Sequence, residues 1–115
     1  MPLEQDLMAI ERQFWTGGPE AYEKHTDQRC LVVFKEMAGM MDRTDIAKTA
    51  EPGRWKDVSM QPKGLAKLSD TSVVHSYECT AKRKSDQEYH AFVSSGYVKH
   101  RDGWKMAFHQ QTMLD

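Results

Sequence analysis

Apolar and polar positions along this chain first repeat with helical spacing and later alternate. Leu3, Leu7, Ile10 and Phe14 form one helical stripe, widened by Met8 and Trp15, while Glu4, Asp6, Glu11, Arg12 and Gln13 fall elsewhere. The pattern predicts an amphipathic helix, with Pro2 suited to its first turn and Thr16-Gly17-Gly18 ending it. Pro19 opens a short second helix, Glu20 to about His25, whose buried side is Ala21 and Tyr22. Arg29 to Phe34 is a continuous apolar run, which predicts a short inner strand or lip buried on both faces. Asp42, with Asp45 three residues on, is read as the cap of a third helix from Arg43 to about Ala50, stopped by Pro52-Gly53.

Beyond Trp55 the period becomes two. Val58 and Met60 share a face, Pro62-Lys63-Gly64 predicts a bulge or bend, and Ser69-Asp70 turns the chain. From Thr71 to Lys82, Val73, His75, Tyr77, Cys79 and Ala81 face the core. Closing the next loop on Arg83 and Glu88 pairs Ala81 with His90, Cys79 with Phe92, Tyr77 with Ser94 and His75 with Gly96. Reading Arg101-Asp102-Gly103 as a three-residue loop closed by His100 and Trp104 pairs Val98 with Met106, Gly96 with Phe108, Ser94 with Gln110 and Phe92 with Thr112. A slip by one residue would set Lys99 against Met106 and bury charge. Trp104, Met106, Phe108, Gln110 and Thr112 are therefore expected inside. Val93, Ser95, Tyr97, Lys99, Lys105, Ala107, His109 and Gln111 are expected outside.

Composition narrows the function classes. The 115 residues suit one domain spanning 1–115. A net charge of −1, from 16 basic against 17 acidic residues, supplies no footprint for nucleic acid or anionic lipid. Lys82-Arg83-Lys84 reads as a solvated hairpin tip. No apolar run is long enough to span a membrane, and the acidic start lacks a leader's basic region, so the cytoplasm is the expected compartment. Cys30 and Cys79 lack metal spacing and read as buried small hydrophobes. No His-x-His or Glu-x-x-His spacing and no phosphate-cradling glycine loop occur, so neither a metal nor a cofactor is expected.

Three segments carry a resemblance: Glu11-Arg12-Gln13-Phe14-Trp15, Ser94-Ser95-Gly96-Tyr97-Val98, and Gly103-Trp104-Lys105-Met106-Ala107-Phe108-His109-Gln110-Gln111-Thr112. With three helices before long antiparallel strands, the chain resembles the nuclear transport factor 2-like superfamily, shared with SnoaL-like cyclases and ketosteroid isomerases. More narrowly it is similar to a small stand-alone branch of unassigned function. The resemblance implies an α+β, cystatin-like cone: three N-terminal helices in the concave face of a curved, mainly antiparallel sheet. It also implies a pocket, with the outer sheet face commonly used for homodimers. The aromatic and polar mix expected on that face fits a twofold dimer.

On the expected registers Tyr77, Ser94 and Gln110 line up across three strands, with His75 one row away and Thr112 below. Phe92, Trp104, Met106 and Phe108 would wall the site with Phe14, Trp15 and Tyr22 from the helices. An apolar cavity with a few aimed polar groups is what a small-molecule site needs. His75 is the candidate acid or base, and Tyr77 the candidate for polarising a carbonyl. The competing reading is a packed core in which these polar groups satisfy one another. The resemblance to ketosteroid isomerase does not extend to its acidic base, because no Asp or Glu is expected on the inner sheet face. Two functions follow: binding of an apolar ligand bearing a carbonyl or hydroxyl, with or without isomerase, cyclase or dehydratase chemistry, or a non-enzymatic association or sensing module. A cavity above ~300 Å³ bordered by His75 favours the first, and a filled interior the second.

Overall fold

The computed structural model describes residues 2–114; Met1, where the stretch read for a leader begins, and Asp115, the end of the expected domain, lie outside them. The elements run α1 (Pro2–Thr16), α2 (Pro19–His25), β1 (Thr26–Val33), β2 (Ala38–Asp42), α3 (Arg43–Thr49), β3 (Trp55–Ser69), β4 (Ser72–Arg83), β5 (Glu88–His100) and β6 (Gly103–Met113). The six strands form one sheet in the order β2-β1-β6-β5-β4-β3, parallel only between β1 and β6. Three helices pack against this curved, open sheet, giving an α+β fold.

Helix α1 buries Leu7, Glu11, Phe14 and Trp15. It ends at Gly17, whose N–H donates to the Gln13 carbonyl at 2.8 Å, and a Cβ there would meet that oxygen at 2.7 Å. The third helix forms where expected, but Asp42 at its N-cap makes no side-chain cap bond and pairs instead with Arg29 at 3.4 Å. Strand β1 is not buried on both faces: Cys30 and Val32 point into the core, while Leu31 is 39% exposed. β1 lies between β2 and β6, and its face bearing Leu31 is exposed. The bulge expected at Pro62-Lys63-Gly64 is present as a register shift between Pro62 and Gly64.

Both C-terminal hairpins close one residue away from the expected positions. In the β4–β5 hairpin Arg83 N–H donates to the Gln87 carbonyl and Asp86 N–H to the Arg83 carbonyl, both at 2.9 Å, with Asp86 at φ 67°. The loop is thus Lys84-Ser85-Asp86, ended by a left-handed residue, a common three-residue hairpin geometry. Lys82 pairs with Glu88, Ala81 with Tyr89, Cys79 with Ala91, Tyr77 with Val93 and His75 with Ser95. Because side chains alternate, this one-residue change turns the whole of β5 over. Tyr89, Ala91, Val93, Ser95 and Tyr97 face the core, and Phe92, Ser94 and Val98 face away.

The β5–β6 hairpin closes on His100 and Gly103, giving Lys99 with Trp104 and Tyr97 with Met106. A shift beyond Gly96 then restores the expected pairs of Gly96 with Phe108, Ser94 with Gln110 and Phe92 with Thr112. Ala107 is the extra residue, and the bulge switches the faces of β6. Before it, Trp104 and Met106 pack on the core; after it, His109 is buried and Gln111 borders the interior. Phe108, Gln110 and Thr112 share the outer side with their partners on β5.

Candidate functional site

A carboxylate from α1 lies at the centre of the interior. Glu11 is fully buried, four residues after Leu7 and three before Phe14 on the same helical face. Tyr77 from β4 donates its hydroxyl to Glu11 Oε1 at 2.6 Å, and Tyr97 from β5 donates to Oε2. Trp15 Nε1 donates to the Tyr77 oxygen at 2.9 Å, which orients that phenol toward Glu11. Two imidazoles stand at the next distance: His75 Nε2 is 3.8 Å from Oε2 and His109 Nδ1 is 3.9 Å from Oε1. These separations are too long for hydrogen bonds and short enough for strong electrostatic coupling.

Burial by itself would raise the Glu11 pKa. The His75 and His109 imidazoles and the Tyr77 hydroxyl outweigh it and bring the group down to about 2. Tyr77 and Tyr97 are pushed well above 10 by burial and by the Glu11 charge, so both remain donors. Burial lowers the pKa of His109, with Glu11 opposing the shift and His75 adding to it. Cys30 and Cys79 are pushed up to about 12, chiefly by burial, which leaves both thiols inert.

A cavity of about 370 Å³ opens between the helices and the sheet, with lining residues from all six strands. Phe14, Trp15, Tyr22, Phe34, Trp55 and Tyr89 supply aromatic walls, with Val32, Met41, Ile46 and Met106 between them. Its polar lining includes His109 and Gln111. A hydrogen-bonded chain fixes these two: Tyr89 donates to Gln111 Oε1 at 2.7 Å, the Gln111 amide meets His109 Nε2 at 2.9 Å, and His109 Nδ1 lies 2.8 Å from Ser95 Oγ. In this arrangement Nε2 accepts from the amide and Nδ1 carries the proton. His109 therefore links the cavity on one side to the Glu11 cluster on the other. Among the described residues no group of His, Cys, Asp and Glu is arranged to hold a metal ion, and no helix is long and apolar enough to cross a membrane.

Comparison with solved structures follows from this architecture. An NTF2-like protein of unknown function from Prochlorococcus superposes with a TM-score of 0.79 at 12% identity, covering 97% of this chain and 93% of that one. The fold is NTF2-like. An NTF2-like protein of unknown function from Shewanella oneidensis matches with a TM-score of 0.72 at 14% identity, covering 96% and 98% of the two chains. The association domain of Caenorhabditis elegans CaMKII matches at 0.68 and 7% identity over 96% and 92%. At these identities the likeness is one of fold alone. No family model matches the sequence, and no curated protein does.

Within this NTF2-like cone the residues singled out from sequence divide into four groups. Phe14, Trp15, Tyr22 and Met106 border the cavity. His75 and Tyr77 point inward but sit behind it, in the Glu11 cluster; His75 is 1% exposed, and neither of its ring nitrogens has a hydrogen-bond partner. Trp104 packs on the core beside Lys99, whose ammonium lies 5.9 Å from its ring centroid. The row of Tyr77, Ser94 and Gln110 does not form. Phe92, Ser94, Phe108, Gln110 and Thr112 lie on the outer face, where Ser94 donates to Ser76 at 3.3 Å and Gln110 to Thr112. Their places are taken by Ser95, Tyr97, His109 and Gln111. Glu11 was placed off the apolar stripe of α1; its position at helical spacing between Leu7 and Phe14 was the signal available.

Proposed function

We propose that the chain works as one cone-shaped domain, residues 1–115, that binds a small apolar molecule bearing a carbonyl or hydroxyl group. The observation that carries this reading is the cavity of about 370 Å³, within the usual range for ligand sites, whose lining includes an imidazole and an amide amid aromatic rings. His109 replaces His75 as the residue proposed to exchange a proton with the ligand. Its pKa, lowered by burial, favours the neutral form near pH 7; Nε2 is the basic atom and takes a proton once the Gln111 amide that caps it turns to the ligand oxygen. Gln111 would hold the ligand oxygen, and His75 and Tyr77 would position Glu11 behind His109. Isomerase, cyclase and dehydratase chemistry share proton removal beside a carbonyl, which is the step this arrangement suits.

A thermal-shift screen against small carbonyl and hydroxyl metabolites tests binding, using the native chain and Thr49→Trp, which adds an indole at a position bordering the cavity. Hits should stabilise the first and not the second; equal shifts, or no hits at all, would remove the reading. For a hit, exchange of its carbonyl-adjacent hydrogens in D2O followed by NMR should depend on His109 and vanish in His109→Ala. Exchange unchanged in the variant would leave a binding protein without this chemistry.

A second reading is a homodimer through the outer sheet face. Phe92 is 42% exposed there, on the same face as Phe108 and Val98, and one neighbour in fold is an association domain. For the compartment we propose the cytoplasm, where the free thiols of Cys30 and Cys79 stay reduced; cell fractionation checks it.

A further inference from the structure

The lining of the cavity carries more positive charge than the molecule around it. Lys35, Arg54 and Arg83 border it against a single carboxylate, Glu36, in a chain whose formal net charge is −1. These cations differ in how they are held. Arg54 is engaged by Glu51 at 3.6 Å, and Glu51 is shared with Lys84 at 3.1 Å. Arg83 ends β4 on the same side as Ala81, Cys79 and Tyr77. Its guanidinium carbon lies 4.7 Å from the Trp55 ring centroid and 5.5 Å from that of Tyr89. Among the described residues no carboxylate lies within ion-pair distance of it.

Cation–π contact with two rings holds a guanidinium in place, and its N–H groups can meet the oxygens of an anion two at a time. The rings are themselves fixed: Trp55 and Tyr89 lie 5.1 Å apart, and Trp15 meets Trp55 edge-on at 5.1 Å. Tyr89 also holds Gln111, which holds His109. One continuous wall thus runs from Arg83, along aromatic faces, to an amide and an imidazole. A ligand touching both ends must be apolar in its body and carry an anion at one end.

We propose that the cavity selects a monoanionic aryl acid, a carboxylate or sulfonate on an aromatic body, with the acid group paired to Arg83 and the body laid along Trp55 and Tyr89. The proposal rests on the small-molecule reading of the cavity and adds the charge and direction of the occupant. An exposed arginine over a ring is also a common surface contact; the difference here is that the same guanidinium borders a cavity and, among the described residues, has no carboxylate partner.

Two fluorescent probes of one ring skeleton separate these cases: anilinonaphthalene sulfonate, which is anionic, and N-phenyl-1-naphthylamine, which is neutral. Both are titrated into the native chain, Arg83→Gln, Arg83→Lys and Thr49→Trp. The sulfonate should bind the native chain saturably, weaken by about tenfold or more in Arg83→Gln and less in Arg83→Lys, while the neutral probe changes by less than about twofold. Sulfonate affinity unchanged in Arg83→Gln, or both probes weakened equally, would overturn the assignment of Arg83. If both probes bind Thr49→Trp as well as the native chain, the cavity reading itself fails, a result distinguishable from loss of the arginine's role.

Discussion

Glu11 sets the energetics at the scale of single residues. A carboxylate withdrawn wholly from water is costly, and it is held ionised here by two phenol donors and two nearby imidazoles. Removing it would strand the Tyr77 and Tyr97 hydroxyls in the core. Glu11→Ala should therefore cost roughly 3–5 kcal/mol of unfolding free energy in urea, and Glu11→Gln, which keeps one acceptor, clearly less. A loss under about 1 kcal/mol in Glu11→Ala would show that the cluster does not hold the helix to the sheet. The pH dependence follows from the signs of two shifts. The Glu11 pKa falls from 4.5 to about 2 on folding, so its contribution, on the order of 3 kcal/mol, is present above pH 4.5 and is lost as pH falls toward 2. The His109 pKa also falls on folding, from 6.5, so stability begins to drop as pH descends below 6.5. Melting temperature against pH should thus decline in two stages, and Glu11→Gln should lack the lower one. Glu11 was legible only in part: the helical stripe was plain, but Glu11 was placed off it, and nothing local in the sequence supplies donors for a buried carboxylate. The compensating donors come from β4 and β5, more than sixty residues away in sequence.

At the scale of elements, two hairpin loops and one bulge decide which side chains meet. The three-residue loop of the β4–β5 hairpin needs a left-handed residue at its end, and this chain uses Asp86 rather than glycine. Without the glycine signal the loop reads one residue longer, and every position of β5 is then assigned to the wrong face. Asp86→Gly should raise stability by a few tenths to about 1 kcal/mol, and Asp86→Val should lower it by about 1 kcal/mol or more, read from urea midpoints. The exposed pair of Asp86 with Lys56 at 2.5 Å offsets little of the gain. Equal stability in all three chains would mean that the loop carries no strain. In β6 the extra residue Ala107 is invisible to an alternation count, because Trp104, Met106 and Phe108 look like one apolar face. Burial separates them: Met106 is in the core, whereas Phe108 sits opposite Gly96 on the outside. What held in the reading of these strands was their existence, their order and three of the cross-strand pairs.

At the scale of the whole molecule, the outer sheet face and the cavity are the surfaces proposed to meet partners. A homodimer through the outer face predicts that Phe92→Glu shifts sedimentation from dimer to monomer at micromolar concentration while leaving the fold intact; a native chain that already sediments as a monomer would exclude it. The helix stripe of α1, the alternation of β4, the bulge at Pro62 and the α+β order of elements were all determined by the sequence itself, because each depends on local periodicity and on residues such as Pro and Gly whose effect is local. The facing of β5 and of β6 beyond Ala107 was decided only by tertiary structure, since register is a relation between strands and a one-residue change inverts it. The same holds for the site. The sequence supplied the imidazoles, phenols and aromatic rings, but only packing set Glu11 among Tyr77, Tyr97, His75 and His109 and put His109 rather than His75 at the cavity wall, because the exchange of solvent for specific donors that makes a buried carboxylate stable exists only once distant segments meet.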